Sequence, residues 1–98
     1  MQAITVTVHL WVRTGKRDEF DAFEKQAFAI MSDHGARVIE IRPGNPAQGD
    51  EPDEIHVLRF PSQQAFDCYR VDPRLTALAA IRDQCIADTR IRITSEPD

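Results

Sequence analysis

From Ile4 to Val12 the chain alternates: Ile4, Val6, Val8, Leu10 and Val12 fall on one side, with Thr5, Thr7, His9 and Trp11 on the other. A period of two sends successive side chains to opposite faces, so this segment predicts a half-buried first strand. Thr14-Gly15 breaks the pattern and the period changes. Phe20, Phe23, Ala27, Ile30 and Met31 recur at helical spacing, which predicts a helix whose apolar stripe is core. Thr14 is its candidate N-cap, and Asp18 and Glu19 lie in the first turn, where the positive end of the helix dipole favours acids. The stripe ends at His34-Gly35, glycine suiting a helix C-terminus and His34 facing the negative end of the dipole.

Ala36 to Arg42 reads as a second strand, with Ile39 and Ile41 on one face and Val38, Glu40 and Arg42 on the other. The segment PGNPAQGDEPD, Pro43 to Asp53, has no period and predicts a solvated loop. Glu54 to Phe60 is a third strand, stopped by Pro61, with Ser62 as N-cap of a second helix. Ala65, Phe66 and Tyr69 form its stripe. At Asp72-Pro73 the helix breaks and restarts, with Asp72 as the new cap, and Leu75, Leu78, Ile81, Arg82 and Cys85 continue the apolar side. Thr89 to Thr94 alternates again, with Ile91 and Ile93 inward.

The resulting order β-α-β-β-α-β predicts an α+β, ferredoxin-like domain spanning residues 1–98: a four-stranded antiparallel sheet with helices on one face only. The bare face would carry Trp11 and further apolar groups, which a second copy packed sheet to sheet would hide. Ninety-eight residues bury a core of modest margin, which also points to a homodimer.

Charge narrows the partners. Twelve Lys and Arg against sixteen Asp and Glu give a net charge of −4 without any basic run, so neither nucleic acid nor an anionic membrane surface is expected. The first residues lack the charged start and unbroken apolar stretch of a signal peptide, and no stretch has membrane-spanning length, which predicts a cytoplasmic protein. Cys68 and Cys85 form no C-x-x-C pair and are expected as buried, reduced thiols. His9, His34 and His56 are too scattered for a metal site. No glycine-rich phosphate loop or nucleophile elbow occurs, so no cofactor is expected. Carboxylates cluster only in the Asp50 to Glu54 run, which reads as solvated rather than as a pair for acid-base work.

The stretch R-F-P-S-Q-Q-A-F, Arg59 to Phe66, followed by D-P-R-L at Asp72 to Leu75 and by Arg82, resembles a family known only as a domain of unknown function. Its members carry a strand ending in E-F-P-S, a helix with S-P-x-Y and a later arginine. V-R-T-G-K-R-D-E-F, Val12 to Phe20, is similar to the broader dimeric α+β barrel superfamily, which includes antibiotic-biosynthesis-type monooxygenases and related isomerases. The likeness covers nearly the whole chain in element order and is specific in Arg59 to Arg82. It implies a homodimer with two sheets facing each other as a barrel, and a small pocket in each subunit between sheet and helices. In the monooxygenase-like relatives a polar pocket residue stands four positions before the strand's terminal aromatic, often Trp; here these are His56 and Phe60. Arg82 matches the family's helix arginine, whereas Arg59 replaces its glutamate and Leu75 its tyrosine.

Within the third strand His56, Leu58 and Phe60 share one face and Ile55, Val57 and Arg59 the other, and hydrophobicity does not choose between them. The resemblance puts His56 beneath the helices. There His56 would be the catalytic proton carrier, with Tyr69, Arg82 and Phe60 as substrate contacts around a small acidic or enolic molecule, and Arg82 would hold the anion. In the blander alternative His56 and Tyr69 are ordinary satisfied core residues and Arg82 pairs with Asp83, Asp88 or Glu54. His9, Trp11 and Arg59 fall on the opposite face as dimer-interface residues. Two functional classes therefore stand: a cofactor-independent oxygenase or isomerase-like enzyme, and a non-catalytic binding or assembly module.

Overall fold

Alternation along β1 (Ile4–Val12) is satisfied by partners on both sides. In the computed structural model, which describes residues 2–45 and 49–96, β1 pairs antiparallel with β3 (Glu54–Phe60) and with β4 (Ile86–Ser95). β2 (Arg37–Pro43) pairs with β3, giving the four-stranded order β2-β3-β1-β4. Directly opposed residues of an antiparallel pair share a face. Val6 lies between Leu58 and Ile93, and Val8 between His56 and Ile91, so all six point to one side. That side is covered by α1 (Arg17–Asp33), α2 (Gln63–Arg70), α3 (Pro73–Thr76) and α4 (Ala79–Cys85). The fold is thus α+β and ferredoxin-like, as the element order predicts. Phe20, Phe23, Ala27, Ile30 and Met31 are all buried against the sheet. Among the described residues no helix is long and apolar enough to cross a membrane.

Several local expectations are corrected. Thr14 is not the cap of α1: Gly15 takes a left-handed φ of 78°, the Lys16 N–H donates to the Arg13 carbonyl, and this turn delays the helix until Arg17. Lys16 occupies the cap position without a side-chain bond. In β2 the register shifts between Val38 and Glu40, leaving Ile39 as the extra residue of a bulge. Val38 and Ile41, opposite Leu58 and His56, therefore share the helix-side face, and the expected Ile39/Ile41 pairing is lost. The second helical stretch has three pieces rather than two, because α3 is a single turn and the chain restarts at Leu78. This turns Ile81 outward, to 41% exposure. Cys68 is exposed rather than buried, since it lies two residues from buried Phe66 and so nearly on the far side of α2. β4 begins at Ile86, earlier than expected. Ile91 and Ile93 do face the helix side but stay 45% and 41% exposed, because the helices stop short of that edge.

The connection after β2 is less solvated than its composition implies, although residues 46–48 lie outside the described part of it, as 97 and 98 do of the expected polar tail. Pro52 is buried. The Asp53 N–H donates to the Leu10 carbonyl, and the Asp53 carboxylate accepts from the Val12 N–H at 2.7 Å. Gly44 passes so close to this segment that a Cβ would sit 1.7 Å from the Pro52 carbonyl oxygen. Only glycine permits that approach.

Caps join the helices. Ser62 Oγ accepts from the Ala65 N–H at 3.1 Å, as expected of an N-cap. Asp72 caps α3 through the Arg74 N–H at 2.8 Å, and its other oxygen lies 2.8 Å from His34 Nε2. His34 thus meets a carboxylate from another helix, beyond its position at the end of the α1 dipole. The Arg74 side chain, then His34, hold the Asp72 carboxyl well below the usual carboxylate range. At the end of α1, Gly35 (φ 79°) donates to Ser32 and Ala36 to Met31, the two bonds of a Schellman cap. A Cβ on Gly35 would also lie 3.1 Å from Pro61 Cγ. Gly35→Ala is therefore expected to destabilise the fold by about 1 kcal/mol or more, read as a lower urea midpoint at unchanged m-value.

Candidate functional site

β3 carries Glu54, His56, Leu58 and Phe60 on the same face, each of them buried. His56 is 2% exposed, packed beneath α1 with the Phe28 ring 5.4 Å away. Both of its ring nitrogens face carboxylates. Nε2 lies 2.6 Å from Glu54 Oε1 and Nδ1 lies 3.3 Å from Glu24 Oε2. Glu54 is there because two residues along a strand return to the same face. Glu24 is there because it follows Phe20 by four residues and precedes Ala27 by three, which sets it inside the apolar stripe of α1. Arg17, the first residue of α1, forms an ion pair with Glu54 Oε2 and another with Asp21 at 3.1 Å.

Neither Glu24 nor Arg17 is among the site residues expected from the sequence, where Glu54 figures only as a partner for Arg82 and as the end of a solvated acidic run. Both signals were available: Phe20, Glu24, Ala27 and Met31 recur at helical spacing, and Glu54 alternates in step with His56. The expectation that paired carboxylates occur only as a solvated run is corrected accordingly. Two acids from different elements converge on one buried imidazole, a juxtaposition that no local pattern shows.

Burial dominates the electrostatics. The Glu24 carboxyl is pushed up to about 8, first by desolvation and then by the like charge of Glu54, with Asp21 adding and Arg82 and Arg17 opposing. At neutral pH Glu24 therefore holds a proton. Burial, then the proximity of Glu24, also raises the Tyr69 hydroxyl, which stays a neutral phenol. The Cys85 thiol is raised mainly by desolvation and is fully buried, an inert setting for a cysteine.

A cleft of about 450 Å³ opens between the sheet and the helices, reaching Thr89 and Ile91 at the β4 edge. Apolar groups such as Leu10, Phe23 and Met31 line it, together with Glu24, His56, Tyr69 and Arg82. Three of the sequence-predicted residues, His56, Tyr69 and Arg82, are thus brought to one space. Phe60 is not: it is 0% exposed and packs against Phe66 and Tyr69 at ring distances of 5.1 and 5.7 Å, behind the cleft wall. Arg82 Nη2 donates to Thr89 Oγ1 at 2.8 Å. Among the described residues it forms no ion pair with Asp83, Asp88 or Glu54, so the guanidinium keeps charge available toward the cleft.

His9, Trp11 and Arg59 lie on the opposite, helix-free face. The Trp11 indole N–H donates to the Asp50 carbonyl at 3.1 Å, and the Arg90 guanidinium sits 5.3 Å from the indole ring. Arg59 pairs with Glu96 at 2.9 Å. Half-buried Ile55 and Val57 occupy the centre of this face, while Arg59, Arg90 and Arg92 make its margins more polar than the sequence reading expected.

No family model matches this chain, and no curated protein sequence does. Solved structures do. A dabb family protein with a ferredoxin-like fold from Mesorhizobium loti superposes with a TM-score of 0.74 at 17% identity, over 100% of both chains. A dimeric protein of unknown function with a ferredoxin-like fold from Bacteroides fragilis gives 0.71 at 15% identity, over 96% of each chain. SnoaB, a cofactor-independent oxygenase from Streptomyces nogalater, gives 0.72 at 9% identity, over 100% of this chain and 96% of that one. At such identities the likeness establishes the fold, in agreement with the ferredoxin-like architecture expected from the sequence.

The raised pKa of Glu24 has a consequence for stability. The native state keeps a proton that the unfolded chain loses near 4.5. Its contribution is complete below that pH and is lost as pH rises through about 8. Glu24→Gln removes the titration while keeping a hydrogen-bond donor for Nδ1. The variant is expected to gain on the wild type by on the order of a few kcal/mol between pH 5 and pH 8.5, measured by urea unfolding at both values.

Proposed function

We propose that the cleft binds a small acidic or enolic molecule, that His56 moves a proton to or from it, and that Arg82 holds the anion while Tyr69 offers a neutral phenolic O–H. The observation that carries this reading is a buried imidazole between two carboxylates, opening on the same apolar cleft as a guanidinium that has no ion-pair partner among the described residues. A histidine kept only for packing needs one hydrogen-bond partner; two buried acids beside it cost desolvation that packing alone does not require. Groups with strongly shifted pKa values in a cleft are also where proton chemistry concentrates. With Glu24 protonated at neutral pH, an anionic ligand meets Arg82 without repulsion from that carboxyl. The matching reaction class is proton transfer at a carbon next to a carbonyl, where Arg82 stabilises the developing enolate.

The protein is further proposed to work as a homodimer through its helix-free sheet face, with His9 near the centre and Trp11 and Arg59 toward its opposite ends. Support comes from the half-buried Trp11, Ile55 and Val57 on that face and from the Bacteroides neighbour, which is described as dimeric. Sedimentation of the wild type at a dimer mass, and of Trp11→Glu at a monomer mass, is the expected result.

The proton-transfer reading is tested by incubating the protein in D₂O with a panel of 1,3-diketones and 2-oxo acids and following loss of the α C–H signal by NMR. The wild type is expected to accelerate exchange of at least one class. His56→Gln should cut that acceleration by roughly 100-fold or more, and Arg82→Met should weaken binding by about tenfold or more. Binding that depends on Arg82 without any exchange would identify a non-catalytic binding module instead; no binding by any class would overturn the reading.

A further inference from the structure

Glu54 and Arg17 do not line the cleft, yet they determine what the cleft presents. We propose that Glu54, clamped by Arg17, is a positioning residue that fixes the ring tautomer of His56, and that the Glu24 carboxyl is the group that meets the ligand and relays its proton to His56. This inference rests on the proton-transfer reading above and deepens it.

A neutral imidazole has one N–H and one lone pair, so its two carboxylate neighbours cannot be served alike. Glu54 Oε1 makes the closer contact, 2.6 Å from Nε2, while its Oε2 is held by the Arg17 guanidinium. Paired in this way Glu54 is an anion and a pure acceptor, which draws the ring N–H to Nε2. The Nδ1 lone pair then faces Glu24 Oε2 at 3.3 Å, a contact satisfied when Glu24 is the protonated partner. The groups around Glu24 agree with that assignment: Glu54 from β3 and Asp21 on its own helix disfavour its anion, Arg17 and Arg82 only partly offset them, and Tyr69 from α2 remains neutral.

Proton transfer can then proceed without creating a second buried anion beside Glu54. The ligand C–H breaks and a new O–H forms at Glu24 Oε1, the oxygen not facing the ring. In the same movement the O–H at Oε2 breaks and an N–H forms at Nδ1. Glu24 stays a neutral carboxyl throughout, and the electron pair of the broken C–H remains on the ligand as an enolate next to Arg82. The new charge is an imidazolium lying against the Glu54 anion. The reverse sequence returns the proton, and no oxidant or reductant is needed.

Exchanging the positioning residue tests this without any ligand. In Glu54→Gln, Arg17 attracts the amide oxygen, so the amide NH₂ faces Nε2 and the ring proton must move to Nδ1. Long-range ¹H–¹⁵N spectra of the ¹⁵N-histidine-labelled full chain at pH 7 distinguish the two tautomers. The wild type is expected to carry its proton at Nε2, Glu54→Gln at Nδ1, and Glu24→Gln at Nε2 again, since a glutamine NH₂ can donate to Nδ1. A wild-type ring protonated at Nδ1, singly or together with Nε2, overturns the proposal, as does a folded Glu54→Gln with an unchanged tautomer. Should Glu54→Gln fail to fold, the wild-type and Glu24→Gln spectra still decide it. Because the readout needs no turnover, an Nε2 tautomer without catalysed C–H exchange would refute the proton-transfer reading and the Glu24 relay with it, and leave the positioning role of Glu54 standing. Catalysed exchange with an Nδ1 tautomer would refute the positioning role and the relay through Nδ1, and leave the proton-transfer reading standing.

Discussion

The arrangement depends on the register of β1 between β3 and β4. Once Val8 sits opposite both His56 and Ile91, every alternate side chain of three strands is committed to the helix side or to the bare side. A slip of one residue would exchange the faces, turning His56 and Glu54 outward and bringing Ile55, Val57 and Arg59 under the helices. The apolar set Ile4, Val6, Leu10, Leu58 and Phe60, each at most 4% exposed, resists such a slip. Burial of ordinary hydrophobic residues therefore holds the polar ones in place.

The helices complete the core but do not cover the sheet evenly. Val38 and Ile41 at one edge, and Ile91 and Ile93 at the other, remain between 41% and 49% exposed on the helix side. Near β4 this incomplete cover becomes the mouth of the cleft. The break of the second helical stretch at Asp72 shapes its wall, because the restart at Leu78 brings Arg82 round to Thr89. Asp72 itself is held by Arg74 and His34, so the same residue that interrupts the helix ties the interruption to the end of α1.

Two buried glutamates beside one histidine oppose folding at neutral and higher pH, since their charges must be neutralised by a proton, by the imidazole or by Arg17. A small domain has little stability to spare for this. Glu24 responds by keeping its proton, whereas Glu54 reaches a cation at the surface end of α1. Two chemically identical side chains thus meet burial differently: one is enclosed by the apolar stripe and keeps its proton, and the other reaches Arg17.

Periodicity in the sequence determined the element order, the fold class and most of the core, because strand and helix periods are local properties of the chain. It also located the Ser62 and Asp72 caps and the helix-ending glycine at 35. Bulges and turns were not legible: the extra residue at Ile39 and the left-handed turn at Gly15 arise from pairing and closure, which a periodic pattern does not encode. The candidate site divided in the same way. His56, Tyr69 and Arg82 could be named from the sequence, with the family resemblance choosing the face for His56. That Phe60 is core and that Arg82 stays free of Asp83 and Asp88 depended on distances between elements. The convergence of Glu24 and Glu54 on His56 was decided only by tertiary structure, because it requires residues 30 positions apart to meet where water is excluded. The proton that Glu24 keeps is a property of that enclosure and not of the residue type.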